Sequence, residues 1–79
     1  MNKDFRIHFC VPPNYDHLMS ELYIGTEHFG EINTEKGYLE VILYGRKSGE
    51  PWELAAEDIL ELLQSAIDQL KHRSIFFSR

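Results

Sequence analysis

His8 and Cys10 stand two residues apart in the stretch FRIHFCVPPN. In an extended chain, that spacing puts an imidazole and a thiol on one face. These are two of zinc's preferred ligands, and His17 or His28 can be imagined as a third. The spacing is not that of a recognised pair of ligand knuckles. No metal or cofactor ligand set is therefore assigned from the sequence. The same two residues can be read as a nucleophile and its base. A catalytic thiolate, however, needs a helix N-terminus or a cation to lower its pKa. Cys10 is followed instead by Val11-Pro12-Pro13 at the end of a strand-like run. A chain of 79 residues also has little room for a deep pocket.

The remaining polar clusters point no more strongly to catalysis. Glu57 and Glu61 share one exposed side of a helix, with Asp58 beside them, and Glu21 and Glu31 fall in strands. Without an apolar pocket, such carboxyls have no reason to hold a proton for acid–base work. Gly25, Gly30, Gly37, Gly45 and Gly49 fit no phosphate-loop spacing. Arg46-Lys47 is an isolated dibasic turn. The chain thus reads as a non-enzyme, with no catalytic, cofactor or metal residue assigned. Its remaining signal is surface aromatics. Tyr23, Tyr38 and Tyr44, with Glu21 and Glu40, form a candidate protein-binding surface, because tyrosine is enriched at interfaces. The expected partner is another protein or a second copy of this chain.

Composition narrows the partner classes. The formal net charge is −5, and acids outnumber bases in both halves. No basic stripe is present to neutralise phosphates, so nucleic acid is not an expected partner. No run approaches the ~18–20 apolar residues of a membrane span. The start, MNKDFRIHF, lacks the apolar core of a signal peptide. The single cysteine allows no intrachain disulfide. A reducing, cytoplasmic setting is the expectation.

The elements that must position these residues read as one α+β domain over residues 1–79. Phe5, Ile7, Phe9 and Val11 alternate with Asp4, Arg6, His8 and Cys10, a period-two strand ended by Pro12-Pro13. A second strand covers 17–24, with Leu18, Ser20, Leu22 and Ile24 on one face and Met19, Glu21 and Tyr23 on the other. Gly25-Thr26 predicts a two-residue hairpin turn of the Gly-X type. That turn sets Leu22 opposite Phe29 and Met19 opposite Ile32 in a third strand over 27–33. A three-residue loop would set Glu21 against Glu31, a repulsive pair, and is disfavoured. Gly37 closes the next turn with positive φ. A fourth strand over 38–44 is apolar on both faces, which predicts a central position. Residues 56–73 carry a helical stripe of Ile59, Leu63, Ala66 and Leu70, widened by Leu60, Leu62 and Ile67.

The architecture expected is an antiparallel four-stranded meander under one long C-terminal helix. Glu50–Leu54 can add a short edge segment, and the apolar tail Ile75-Phe76-Phe77 reads as an extra edge strand, a patch packed under the helix or a partner contact. Pro51 keeps its neighbourhood extended. Trp52 is then expected to pack at the sheet–helix junction, with only an edge reaching solvent.

Glu31-Ile32, Gly49-Glu50-Pro51-Trp52 and the acidic amphipathic helix together carry a resemblance. The segment from about 20 to 70 resembles short bacterial proteins with a Gly-x-Pro-Trp segment, of the immunity and antitoxin genre. The strand–strand–strand–helix order is also similar to the HicB-type antitoxin core, although the Pro-Gly-Cys stretch usual there is missing. The resemblance implies a small acidic inhibitor that covers a site on a basic partner.

Overall fold

A computed structural model describes residues 4–74. Four strands, β1 (Phe5–Cys10), β2 (Met19–Ile24), β3 (Glu27–Asn33) and β4 (Glu40–Leu43), precede one helix, α1 (Ala56–Ser74). The sheet is antiparallel throughout, in the order β1-β2-β3-β4. The fold is the expected α+β meander with one helix on one face. Among the described residues there is no fifth strand. Residues 50–55 carry no regular structure, and the tail 75–79 lies outside the described residues.

The helix settles which sheet face is inside. Leu62, Ala66 and Leu70 are fully buried, at steps of four, on the inward stripe of α1. They meet Phe5, Leu22, Phe29 and Ile32 from the sheet, with Ile7, Phe9 and Ile24 packed around them. The outward face therefore carries Arg6, His8 and Cys10, Glu21 and Tyr23, His28 and Glu31. Leu60 is not part of the stripe; it is 67 % exposed. The start of α1 has no side-chain cap. The Ala55 carbonyl accepts the first helical hydrogen bond, from Ile59 N–H at 3.2 Å. Glu57 and Asp58 in the first turn, and Lys71, His72 and Arg73 in the last, suit the helix dipole.

The β2–β3 hairpin departs from the predicted register. The turn has two residues as expected: Ile24 pairs with Glu27, and Gly25 takes φ 62°. Tyr23 then pairs with His28, but Leu22 pairs with Gly30. Phe29 is the extra residue of a β-bulge. Beyond it, Glu21 faces Glu31 and Ser20 faces Ile32. The pairs Leu22–Phe29 and Met19–Ile32 do not form, and the repulsive carboxylate pair does. A straight ladder would put Glu31 under the helix and Ile32 outside. One inserted residue reverses both.

β4 is an edge strand, not a central one. Among the described residues it pairs only with β3, and it begins at Glu40, two residues later than predicted. On its helix side, Val41 is 41 % and Leu43 60 % exposed, because α1 lies over β1 and β2. Its apolar content reflects this uncovered margin rather than burial on both faces.

The segment after β4 closes the open end of the core. Gly49, at φ 80°, donates its N–H to the Arg46 carbonyl in a tight turn. Trp52 then returns against Phe29, edge to face, with centroids 5.2 Å apart. Its indole N–H donates to the Tyr44 carbonyl at 2.9 Å, and the Arg46 guanidinium covers its other side at 5.3 Å. Trp52 thus seals the bulged side of the core and stays half-buried. Trp52→Ala should cost about 2–4 kcal/mol, slightly under the value for a fully buried aromatic. Urea denaturation measures it.

Gly30 gives a sharper test of the bulge. A Cβ there would run into the Ile42 carbonyl oxygen and the Leu43 side chain, whereas Gly45 has open space around it. Gly30→Ala should destabilise by about 1–3 kcal/mol through overpacking against backbone. Gly45→Ala, measured in the same denaturation series, should change stability by less than about 1 kcal/mol.

Candidate functional site

The outward sheet face is organised around one buried carboxylate. Glu31 is only 4 % exposed. Tyr15 O–H donates to its Oε2 at 2.6 Å, Tyr44 O–H to its Oε1 at 2.6 Å, and Asn33 Nδ2 to Oε2 at 2.9 Å. Each donor arrives from a different piece of chain. Asn33 sits at the end of the same strand. Tyr44 follows β4. Tyr15 is delivered by a turn in which its N–H bonds the Pro12 carbonyl at 2.9 Å, a turn that Pro13 favours at its second position. The Glu35 carboxylate then pins that loop by accepting from Asp16 N–H at 2.8 Å and His17 N–H at 3.0 Å.

The network fixes the protonation state of its members. Burial pushes the Glu31 carboxyl up, but three hydrogen bonds and the nearby His28 outweigh it, so the group sits below the ordinary carboxylate range. The same bonds push Tyr15 and Tyr44 up to about 12, with burial adding to the effect.

Aromatic rings form a row beside this carboxylate. His28 stacks on Tyr23 with centroids 4.8 Å apart, and Tyr44 tilts against its other side at 4.8 Å. Arg6 lies over the outer side of Tyr23 at 5.6 Å. Glu21, opposite Glu31, is held differently: His8 Nδ1 lies 2.9 Å from its Oε1, the ring N–H donating. Cys10 Sγ is 3.8 Å from Met19 Sδ. The Cys10 thiol is pushed up by burial and by the neighbouring Glu21. Tyr23 is raised for the same two reasons in the same order.

Of the five residues predicted for a binding surface, four lie on this face: Tyr23, Tyr44, Glu21 and Glu40. Glu40 accepts from Lys36 Nζ at 2.8 Å at the rim. Tyr38 stands apart in the 34–39 turn, 56 % exposed, because the chain enters β4 only at Glu40. Tyr15, Glu31 and Asn33 join the face without any signal in the sequence pattern, while the two-residue turn already sets His28 opposite Tyr23. Glu31 and Asn33 are brought in only through the bulge, and Tyr15 only through the turn at Pro12, whereas His28 stands ahead of the bulge. His17, whose backbone N–H bonds the Glu35 carboxylate, does not join His8 and Cys10.

Three open recesses lie along the face. One, of about 520 Å³, is lined by Arg6, Ile7, His8, Glu21 and Tyr23. A second, of about 220 Å³, runs beside His28, Tyr44 and Lys47. The third, about 260 Å³, lies between Tyr15 and Glu40. All are shallow and solvent-open.

The fold and this face define an α+β domain with one sheet surface that no helix of the described residues covers. No protein-family model, curated protein or solved structure matches the chain. Among the described residues, no helix is long and apolar enough to cross a membrane.

The Glu31 network makes stability depend on pH at both ends. The carboxyl binds its proton less tightly when folded, so its contribution is present above pH 4.5 and is lost as pH falls below that value. The phenols bind theirs more tightly when folded, so their contribution is present below pH 10 and is lost as pH rises towards about 12. Glu31→Gln should cost about 1–3 kcal/mol at neutral pH. It should also flatten the acid limb of a stability–pH curve measured by chemical denaturation. Tyr15→Phe should leave the acid limb partly intact and reduce the alkaline one.

Proposed function

We propose that the protein is a non-catalytic binding domain whose uncovered sheet face docks on a basic protein partner. The observation that carries this reading is the row Tyr23–His28–Tyr44 alongside the fixed Glu31 carboxylate, on the sheet face opposite the helix. Rings that are half-exposed and already held in place are suited to anchoring a partner at low entropic cost. The formal charge of −5 favours a cationic partner and a fast, salt-sensitive encounter. The finer form of the proposal is an immunity- or antitoxin-like inhibitor that covers the site of a basic enzyme. A reducing, cytoplasmic setting belongs to the same proposal and suits the free Cys10 thiol.

Tyr23 is the residue to test, since Tyr44 also supports Glu31. Cross-linking in the native host, followed by co-purification, should recover a stoichiometric basic protein. Its cross-links should fall on β2–β4. Tyr23→Ser should weaken that complex by about 2 kcal/mol or more while far-UV circular dichroism stays unchanged. Association should slow as salt is raised. Recovery of no stoichiometric partner, or cross-links confined to the outer side of α1, would refute the reading.

One observation favours self-association as a second reading. Val41 and Leu43 are exposed on β4, whose outer edge is unpaired among the described residues. Strand edges and apolar margins of this kind pair readily with a second copy. Sedimentation at micromolar concentration should then show a dimer that Leu43→Lys dissociates. A lone 9.3 kDa species would remove this reading.

A further inference from the structure

The antiparallel pairing of β1 and β2 sets His8 opposite Glu21 and Cys10 opposite Met19. His8, Cys10 and Glu21 then crowd one patch of the outward face. One ligand atom each from these three residues lies within 4.8 Å of the other two. We propose that His8, Cys10 and Glu21 form a three-ligand site for a divalent zinc-class ion.

The donor set is the first argument. Imidazole nitrogen, thiolate and carboxylate oxygen together suit a borderline ion such as Zn²⁺ rather than Mg²⁺ or Ca²⁺. Metal–ligand lengths of about 2.0–2.3 Å imply tetrahedral ligand separations of roughly 3.3–3.6 Å. The present spread needs only side-chain adjustment to reach them. His8 has that freedom, with its side chain 64 % exposed.

Charge is the second argument, and it is independent of the ligand count. Glu21 lies directly opposite Glu31. Glu31 has three donors of its own, whereas Glu21 is held by the imidazole of His8. A cation on Glu21 would offset the cross-strand repulsion that the bulge imposes. The site is also accessible from solvent. The largest of the three recesses is lined by His8 and Glu21 themselves and opens to solvent. On binding, the Cys10 thiol releases its proton to solvent and ligates as the thiolate.

The sequence suggested His17 or His28 as a third ligand to His8 and Cys10. The structure places Glu21 there instead. His17 is tied down by its backbone N–H on Glu35 and does not join the cluster, and His28 is held between Tyr23 and Tyr44.

Native mass spectrometry of the metal-free chain titrated with Zn²⁺ should show one ion per chain. Co²⁺ should give the thiolate charge-transfer absorption and tetrahedral d–d bands. Removing one ligand should weaken binding by at least about tenfold. Cys10→Ser should abolish the charge-transfer band. His8→Ala, at an exposed position, should weaken binding without loss of fold, and His72→Ala should have no effect. The proposal is overturned by the absence of a bound ion in excess metal. It is overturned equally by binding that survives both Cys10→Ser and His8→Ala. These readouts need no protein partner, so they stand or fall separately from the docking reading.

Discussion

The structure depends on a single parity constraint in β3. Phe29 and Ile32 are three residues apart, yet both must reach the core under α1. A regular strand sends such residues to opposite faces. The bulge at Phe29 resolves the conflict by inserting one residue between His28 and Gly30. Gly30 is what lets the bulge close against β4, since any side chain there would strike the Ile42 backbone. The cost is that Glu21 and Glu31 end up facing each other. Magnitudes decide the outcome. Like charges opposite one another on a sheet cost about 0.2–1 kcal/mol. The straight ladder would expose Ile32, at about 1.5–3 kcal/mol, and bury Glu31 beneath the helix at several more.

That residual repulsion shapes the rest of the outward face. Glu31 can be buried only because donors surround it, and an uncompensated carboxylate there would not remain ionised. Two of its donors come from outside the strands: Tyr15 from the β1–β2 loop and Tyr44 from the start of the crossover to the helix. The carboxylate therefore ties both connections to the sheet. Trp52 extends the link, since its indole N–H bonds the Tyr44 carbonyl while its ring closes the core over Phe29. One residue, Tyr44, thus couples the outward network to the sealing of the inner core.

Much of this is legible in the residues. The period-two runs, the Gly25-Thr26 turn, the positive φ at Gly37 and the helix from Ala56 follow from local chemistry, and local chemistry decides them. The register of β3 is not legible in the same way, because along the chain only the repulsive Glu21–Glu31 pair is visible. The burial of Ile32 and Phe29 outweighs that repulsion, but it acts through the helix, which is far away in sequence. β4 misleads for a related reason. Its apolar residues do not reveal that α1 is spent on β1 and β2 and leaves that margin bare. The candidate face is half legible. Tyr23, Tyr44, Glu21 and Glu40 stand out by type and alternation, whereas Glu31 and Tyr15 are joined only by folding.

A face built this way differs from a loose patch of surface tyrosines. Tyr15 and Tyr44 have their hydroxyls fixed on Glu31, and His28 is gripped between two rings. Their rotamers are largely settled before any partner arrives, so less side-chain entropy remains to be lost on binding. The sheet beneath them is held by its own ladder and by the core on the other side. In a chain of this size the core is thin, and the outward network has to supply stability as well as shape. Any substitution that loosens the Glu31 network therefore acts on both at once. Tyr23 and His8 are different: they sit on the same face, but neither bonds Glu31, and function can be probed there without disturbing the bulge that built it.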